Sequence, residues 1–168
     1  IRNCRFENCR SDFGGAIYHY VGGLLWENCA FSNNIANNEG GAALIYNTTG
    51  SVHACTFTGN RNGVDDMGGD SVYIANLFHA NRAEGGLAGF ARYELAINAG
   101  ARVENCVILG RVFDAKKAID PRQNRLEGVT VAAAIPEKFR YLDFARIDGP
   151  YWRRNQIIVG PCDVCFHG

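Results

Sequence analysis

The chain contains no apolar run of about eighteen residues, so no helix that could span a bilayer is expected from it. It also lacks any surplus of charge. Its 17 Lys+Arg balance 17 Asp+Glu, which removes the basic surface that grips nucleic acid or an anionic membrane, and the acidic bias of a solvated tail. The opening residues, IRNCRFENCR, lack the charged-then-apolar order of a signal peptide, and no initiating Met precedes them; a processed product or a segment of a longer chain is the expectation. No Ser-His-Asp spacing, P-loop, dinucleotide fingerprint or EF-hand loop is present, and nothing in the sequence implies a cofactor.

What is present is glycine, asparagine and cysteine, unevenly placed. The length of 168 residues suits one domain with a real core. Of the 20 Gly, 16 lie in residues 1–110, as do 14 of the 16 Asn. Charge divides at the same point: 7 basic against 10 acidic residues before it, 10 against 7 after it.

A repeat organises the first part. Gly-Gly pairs stand at Gly14-Gly15, Gly40-Gly41, Gly68-Gly69 and Gly85-Gly86. Cys4, Cys29 and Cys55 are 25 and 26 residues apart, and Cys106 lies 51 further on. Phe6, Phe31, Phe57 and Ile108 follow those cysteines by two residues; Ile1, Trp26, Val52 and Val103 precede them by three. Phe78, with Asn76 in the Cys position, supplies the missing turn at a spacing of 21. The pieces between glycines, such as GGAIYHY, GGAALIY and SVYIANLF, are short β-branched and aromatic runs without helical period, and each reads as a strand.

Two or three short strands per 25-residue unit, repeated in one direction, predict an all-β fold: a right-handed parallel β-helix, with regular coils over 1–110. Apolar residues at both −3 and +2 from each Cys can face inward together only if the chain bends between them. Asn3, Asn28 and Asn105 stand at −1, where a left-handed residue would make that bend, with Ala54 the exception. The expected structural ladder comprises these asparagines with Asn34, Asn60 and Asn81, the inward Cys4, Cys29 and Cys55, and a column of Phe6, Phe31, Phe57 and Phe78. Parallel Cβ vectors suit these cysteines to buried hydrophobes better than to disulfides.

Gly14-Gly15-Ala16-Ile17 and Gly40-Gly41-Ala42-Ala43 alternate with Phe31-Ser32-Asn33-Asn34, Phe57-Thr58-Gly59-Asn60 and Phe78-His79-Ala80-Asn81. This GGAI and FxxN alternation resembles the repeat of polymorphic outer-membrane proteins, surface adhesins related to the pectin-lyase-like β-helix proteins. It covers residues 1 to about 110. Cys9 in the first Asn position, and Asp70 and Leu87 where Ala belongs, depart from the pattern. The resemblance implies a passenger-like β-helix without a translocator barrel. Members of the wider fold are often polysaccharide lyases or hydrolases.

Residues 111–168 are read as irregular coils, a long loop (RVFDAKKAIDPRQNR) and a C-terminal cap, with strands at Val129-Val131 and Ile157-Val159. The first coil, with no cap ahead of it, is expected to expose strand edges that a partner covers.

Candidate chemistry is sparse. Asp65, Asp66 and Asp70 are the weak catalytic candidates; they flank Gly68-Gly69, so turn formation or a cation explains them equally. Glu27, Glu39 and Glu84 are scattered, and His19, His53 and His79 occupy different positions of their coils. Cys162 and Cys165, with His167 nearby, read as a local disulfide, with a metal site lacking its fourth ligand; no metal is assigned. Tyr18, Tyr20, Tyr46, Tyr73, Tyr151 and Trp152 are candidates for stacking on sugar rings or for packing. Seven cysteines and the sequon Asn47-Thr48-Thr49 favour an extracellular or cell-surface home, with Asn47 glycosylated. The expected function is a non-enzymatic structural or adhesive module, touching protein neighbours or flanking domains, and possible glycans, through NNIANNEGG and GNRNGVDDMGG; the alternative is a carbohydrate-active enzyme or a glycan-binding module.

Overall fold

Asn and Gly interrupt the β-branched and aromatic runs at residues that adopt the left-handed backbone conformation, so the chain forms short strands joined at sharp corners. The computed structural model describes residues 1–81, 93–97, 100–115 and 117–127, and the backbone of 131–132, 156–159 and 163–166. In chain order the strands are β1 (Cys4–Glu7), β2 (Arg10–Phe13), β3 (Ile17–Glu27), β4 (Ala30–Ser32), β5 (Ile35–Glu39) and β6 (Ala43–His53). Then come β7 (Thr56–Thr58), β8 (Val64–Asp66), β9 (Gly69–Ile74), β10 (Leu77–His79), β11 (Leu95–Ile97) and β12 (Arg102–Glu104). The last are β13 (Val107–Leu109), β14 (Val112–Asp114), β15 (Arg125–Leu126), β16 (Val131–Ala132), β17 (Gln156–Val159) and β18 (Asp163–Phe166). The described residues are all-β, and no helix among them is long and apolar enough to cross a membrane.

Parallel pairing joins strands one repeat apart. In the first sheet Phe6 lies opposite Phe31, Phe31 opposite Phe57, then Phe78, Ile108 and Leu126 in turn. In the second, Ile17, Ala43, Val64, Leu95, Val112 and Val131 form one row. Trp26, Val52, Tyr73 and Val103 form another. A small third sheet pairs β2 with β5. Side chains from all three rows meet in one buried cluster, through which the four phenylalanine rings run as a stack, centroids 4.9, 4.8 and 4.9 Å apart and nearly parallel.

The glycine pairs have two different causes. Gly40 holds φ 61°, and a Cβ on Gly41 would collide with the Arg61 carbonyl oxygen, so this Gly-Gly serves a corner and a close approach between repeats. In the next coil the close approach falls to Gly63, since Ala43 pairs with Val64, while Gly69 pairs with Thr48. Gly68-Gly69 is therefore not the counterpart of Gly40-Gly41, which corrects the glycine phase read from the sequence and removes the apparent departure at Asp70.

Three further expectations are overturned. NNIANNEGG and GNRNGVDDMGG are not free loops: they carry β5 and β8, and Asn34, Glu39, Asn60 and Asn62 within them are buried. The charged RVFDAKKAIDPRQNR is not a continuous loop, because it opens with β14, and its last residues lead Arg125 into parallel pairing with Val107. The edges of the first coil are not bare. β18 pairs antiparallel with β1 and β17 antiparallel with β3, so the chain's own C-terminal strands cover the edge for which an outside partner was expected. Gly85-Gly86, Glu84, Leu87, Val129, Tyr151, Trp152, Cys162 and His167 lie outside the described residues, as does the side chain of Cys165.

Phe57 has a ring on either side and no solvent exposure. Phe57→Ala should cost about 3 to 5 kcal/mol through the cavity it leaves, measured by urea unfolding; a loss below about 1 kcal/mol would show that the stack does not bear on stability.

Candidate functional site

Where the chain turns through Asn8, Asn28, Asn33, Ala54, Gly59, Ala75, Ala80 or Asn105, the N–H of the next residue leaves its sheet ladder, and burial makes an unpaired N–H costly, by about 1 to 3 kcal/mol. Two interior columns solve this with side chains supplied one repeat later. In one, the Cys9 N–H donates to Asn34 Oδ1 (2.9 Å), Asn34 N–H to Asn60 Oδ1 (2.9 Å) and Asn60 N–H to Asn81 Oδ1 (3.1 Å). The Asn34, Asn60 and Asn81 amides donate back to the carbonyls of Phe6, Phe31 and Phe57. Glu94 closes the series, its carboxylate accepting from Asn81 N–H and Nδ2.

In the other column the acceptors alternate. Cys29 N–H donates to Cys55 Sγ (3.4 Å), Cys55 N–H to Asn76 Oδ1 (2.8 Å), Asn76 N–H to Cys106 Sγ (3.4 Å) and Cys106 N–H to Asn124 Oδ1 (2.9 Å). Cys4, Cys29, Cys55 and Cys106 are buried free thiols. Burial pushes the Cys4 and Cys106 thiols up. Cys55 is raised by its contact with Cys29 and by burial, and that contact draws Cys29 down, so Cys29 is the acidic member of the pair.

Outside these columns Asn3, Asn28 and Asn105 take the left-handed corner at φ 52°, 51° and 53°, as do Ala54 and Ala75. Asn28 Nδ2 donates to Asn3 Oδ1 (2.9 Å); the two alanines separate Asn105 from that pair. Glu94 and Asn124 are ladder members that the sequence reading missed. For Asn124 the signal was the Asn-x-apolar spacing to Leu126; Glu94 offers none, because it breaks the FxxN pattern.

The acidic candidates do not form a shared site. Asp65 and Asp66 are adjacent in β8 and so point to opposite faces of the sheet. Both are buried, Asp65 within reach of the Tyr93 hydroxyl (3.4 Å) and Asp66 accepting from Tyr73 (2.8 Å) and Gly68 N–H (3.3 Å). Asp70 is exposed. Glu39 is buried, and Glu27 pairs with Arg2 at the surface (2.8 Å). His19 is buried against Trp26, ring centroids 6.2 Å apart, and burial lowers its pKa; His53 and His79 are exposed elsewhere. Among the described residues no three His, Cys, Asp or Glu converge on a point that could hold a metal ion.

Two surface grooves are lined by described residues. One, about 530 Å³, is lined by Arg10, Ser11, Asp12, Ile35, Asn37 and Arg61; the other, about 430 Å³, lies over Asn3, Cys4, Arg5, Asn28, Cys29 and Thr56. Tyr18 and Tyr73 are buried, whereas Tyr20 and Tyr46 are half-exposed and stack on each other at 5.2 Å and 5°. Asn47 stands exposed on a corner with φ 50°. No family model, curated protein or solved structure matches the chain.

Burial pushes Asp66 from an ordinary value of 3.8 up to about 6. Between those values the unfolded carboxyl is ionised while the folded one keeps its proton, so the folded state binds more protons and its stability falls as pH rises. The shift of about two units corresponds to about 3 kcal/mol. The stability of the native chain relative to Asp66→Asn should therefore decline by about 2.5 kcal/mol between pH 4 and pH 7 in urea unfolding. A flat difference would mean that Asp66 is not enclosed as described.

Proposed function

We propose that the chain is a non-enzymatic structural or adhesive module of an extracellular or cell-surface protein or filament, built as a right-handed parallel β-helix of about 25 residues per coil and related to the polymorphic outer-membrane protein repeat. The observation that carries this reading is where the polar side chains go. The repeated Asn and Cys positions satisfy corner N–H groups of neighbouring coils, and two of the three candidate acids are enclosed on opposite faces of one strand. Such a coil gives its chemistry to its own backbone and offers the exterior a rigid, regular surface. In-register parallel pairing over successive repeats supports the solenoid, and right-handed crossovers are the rule for parallel strands.

Neighbouring proteins or flanking domains would meet this module through its lateral faces rather than through the first-coil edge, which β17 and β18 occupy. A glycan-binding reading draws on one observation, the Arg10-Arg61 groove with Ser11 and Asn37 along it, and places glycan contact there without bond cleavage.

Incubation with pectic and other uronic polysaccharides should yield no reducing ends or unsaturated products. Sustained turnover lost in Asp70→Asn or Asp66→Asn would overturn the non-enzymatic reading. Expression through a secretory pathway with N-glycosylation should add one glycan, absent in Asn47→Gln, as read by intact mass; a secreted, folded chain left unmodified at Asn47 would count against the extracellular assignment.

A further inference from the structure

We propose that the column Cys4, Cys29, Cys55 is a binding site for a soft, two-coordinate cation of the Cu(I) or Ag(I) class, held in line between the sulfurs of successive coils. The three thiols occupy consecutive steps of one interior column, each immediately before a residue of the paired series Arg5, Ala30, Thr56. They are held alike: each sulfur lies 3.1 to 3.3 Å from the carbonyl oxygen two residues earlier, on Arg2, Glu27 and His53. Identical orientation at one strand step separates equivalent atoms by about 4.8 Å.

That separation discriminates between the chemistries open to neighbouring thiols. A disulfide needs the sulfurs at about 2.05 Å and Cβ vectors that turn toward each other, so parallel side chains in register resist it. Two metal–thiolate bonds of about 2.3 Å placed in line span about 4.6 Å, close to the step itself. A tetrahedral ion such as zinc needs four ligands around a point, which a straight column does not offer, and among the described residues no such cluster of His, Cys, Asp or Glu occurs. Thiolates select soft cations of the Cu(I) kind.

The column has an end. A groove of about 430 Å³ on the outer face, lined by Asn3, Arg5, Asn28 and Thr56, passes over Cys4 and Cys29. In the other direction Asn76 follows Cys55, and its amide stands between Cys55 and Cys106, so the site is confined to the first three coils. Binding converts two thiols and M⁺ into an anionic S–M–S unit and releases two protons. Cys29 is the one sulfur shared by both possible pairs, so it is the essential ligand.

The test uses the full chain, reduced and folded, titrated with Cu(I) against a chromogenic Cu(I) chelator, in a Cys9→Ser/Cys162→Ser/Cys165→Ser background that removes the CxxC pair and the disulfide-bonded Cys9, leaving Cys106 as the one thiol beside the three of the column. The expected result is one equivalent withdrawn from the chelator, with thiolate-to-copper absorption and release of two protons. Cys29→Ser should weaken binding by more than the roughly 100-fold that loss of a supporting contact causes, whereas Cys106→Ser should leave it unchanged. Should Cys29→Ser fail to fold by circular dichroism, Cys4→Ser combined with Cys55→Ser, which leaves Cys29 without a partner sulfur, serves in its place. No Cu(I) uptake by the folded chain lacking the CxxC pair, uptake only after unfolding in urea, or undiminished uptake by the folded Cys29→Ser chain would each overturn the proposal.

Discussion

The structure depends on a debt created at the corners beside its Asn and Cys columns. There a left-handed residue turns the strand sharply enough for apolar side chains on both sides of it to face inward, but the N–H that follows can no longer reach the parallel ladder. Water cannot serve a group buried there. The chain answers with an acceptor from the coil that follows: Asn34 for Cys9, Asn60 for Asn34, Cys55 for Cys29, Asn76 for Cys55. Each repeat is thus incomplete until the next is in place, and the same order stacks the phenylalanine rings. A sulfur can replace an amide oxygen in this role because the position asks only for an acceptor, and Asn adds a donor that closes on a carbonyl of the preceding coil.

The same requirement explains why acidic residues are found inside. Glu94 ends the asparagine series as a carboxylate that accepts from both the N–H and the amide of Asn81. Asp66 sits in the row of Ile45 and Ile97 and is tolerated there because Tyr73 and the Gly68 N–H bond to it, although its carboxyl then holds its proton more tightly. Carboxylates committed in this way are scaffold parts, and the outer surface is left to Arg10, Asp12, Asn37 and their neighbours in the third sheet.

The parts of this arrangement that repeat were readable from the chain before any coordinates. The register joining Phe6, Phe31, Phe57 and Phe78 is written at spacings of 25, 26 and 21, and an inserted or deleted residue between them changes the corners without moving the column. Glycine misled, because one residue type answers two needs. Gly40-Gly41 combines a corner with a close approach, Gly63 supplies the close approach alone, and Gly68-Gly69 belongs to a different bend. Asn124 was hidden by the charges ahead of it, since a periodic reading follows apolar residues and Asp120, Arg122 and Gln123 break the run. The burial of Asp66 could not be read at all: Val64-Asp65-Asp66-Met67 looks like a solvated turn until pairing with Ala43 and Leu95 places it mid-sheet. The cover over β1 and β3 was equally silent, because antiparallel strands from the far end of the chain share no period with the coils they meet.

That cover has a consequence for the order in which the molecule can be made. Cys4 pairs with Phe166, so β1 acquires this neighbour only after all the strands between them have been synthesised. The parallel pairings, by contrast, close loops of one repeat and can zip in the direction of synthesis. Until β17 and β18 have been made and return, the edges of β1 and β3 that they cover stay open. In that interval the paired strands present an edge suited to pairing with another copy of the same segment.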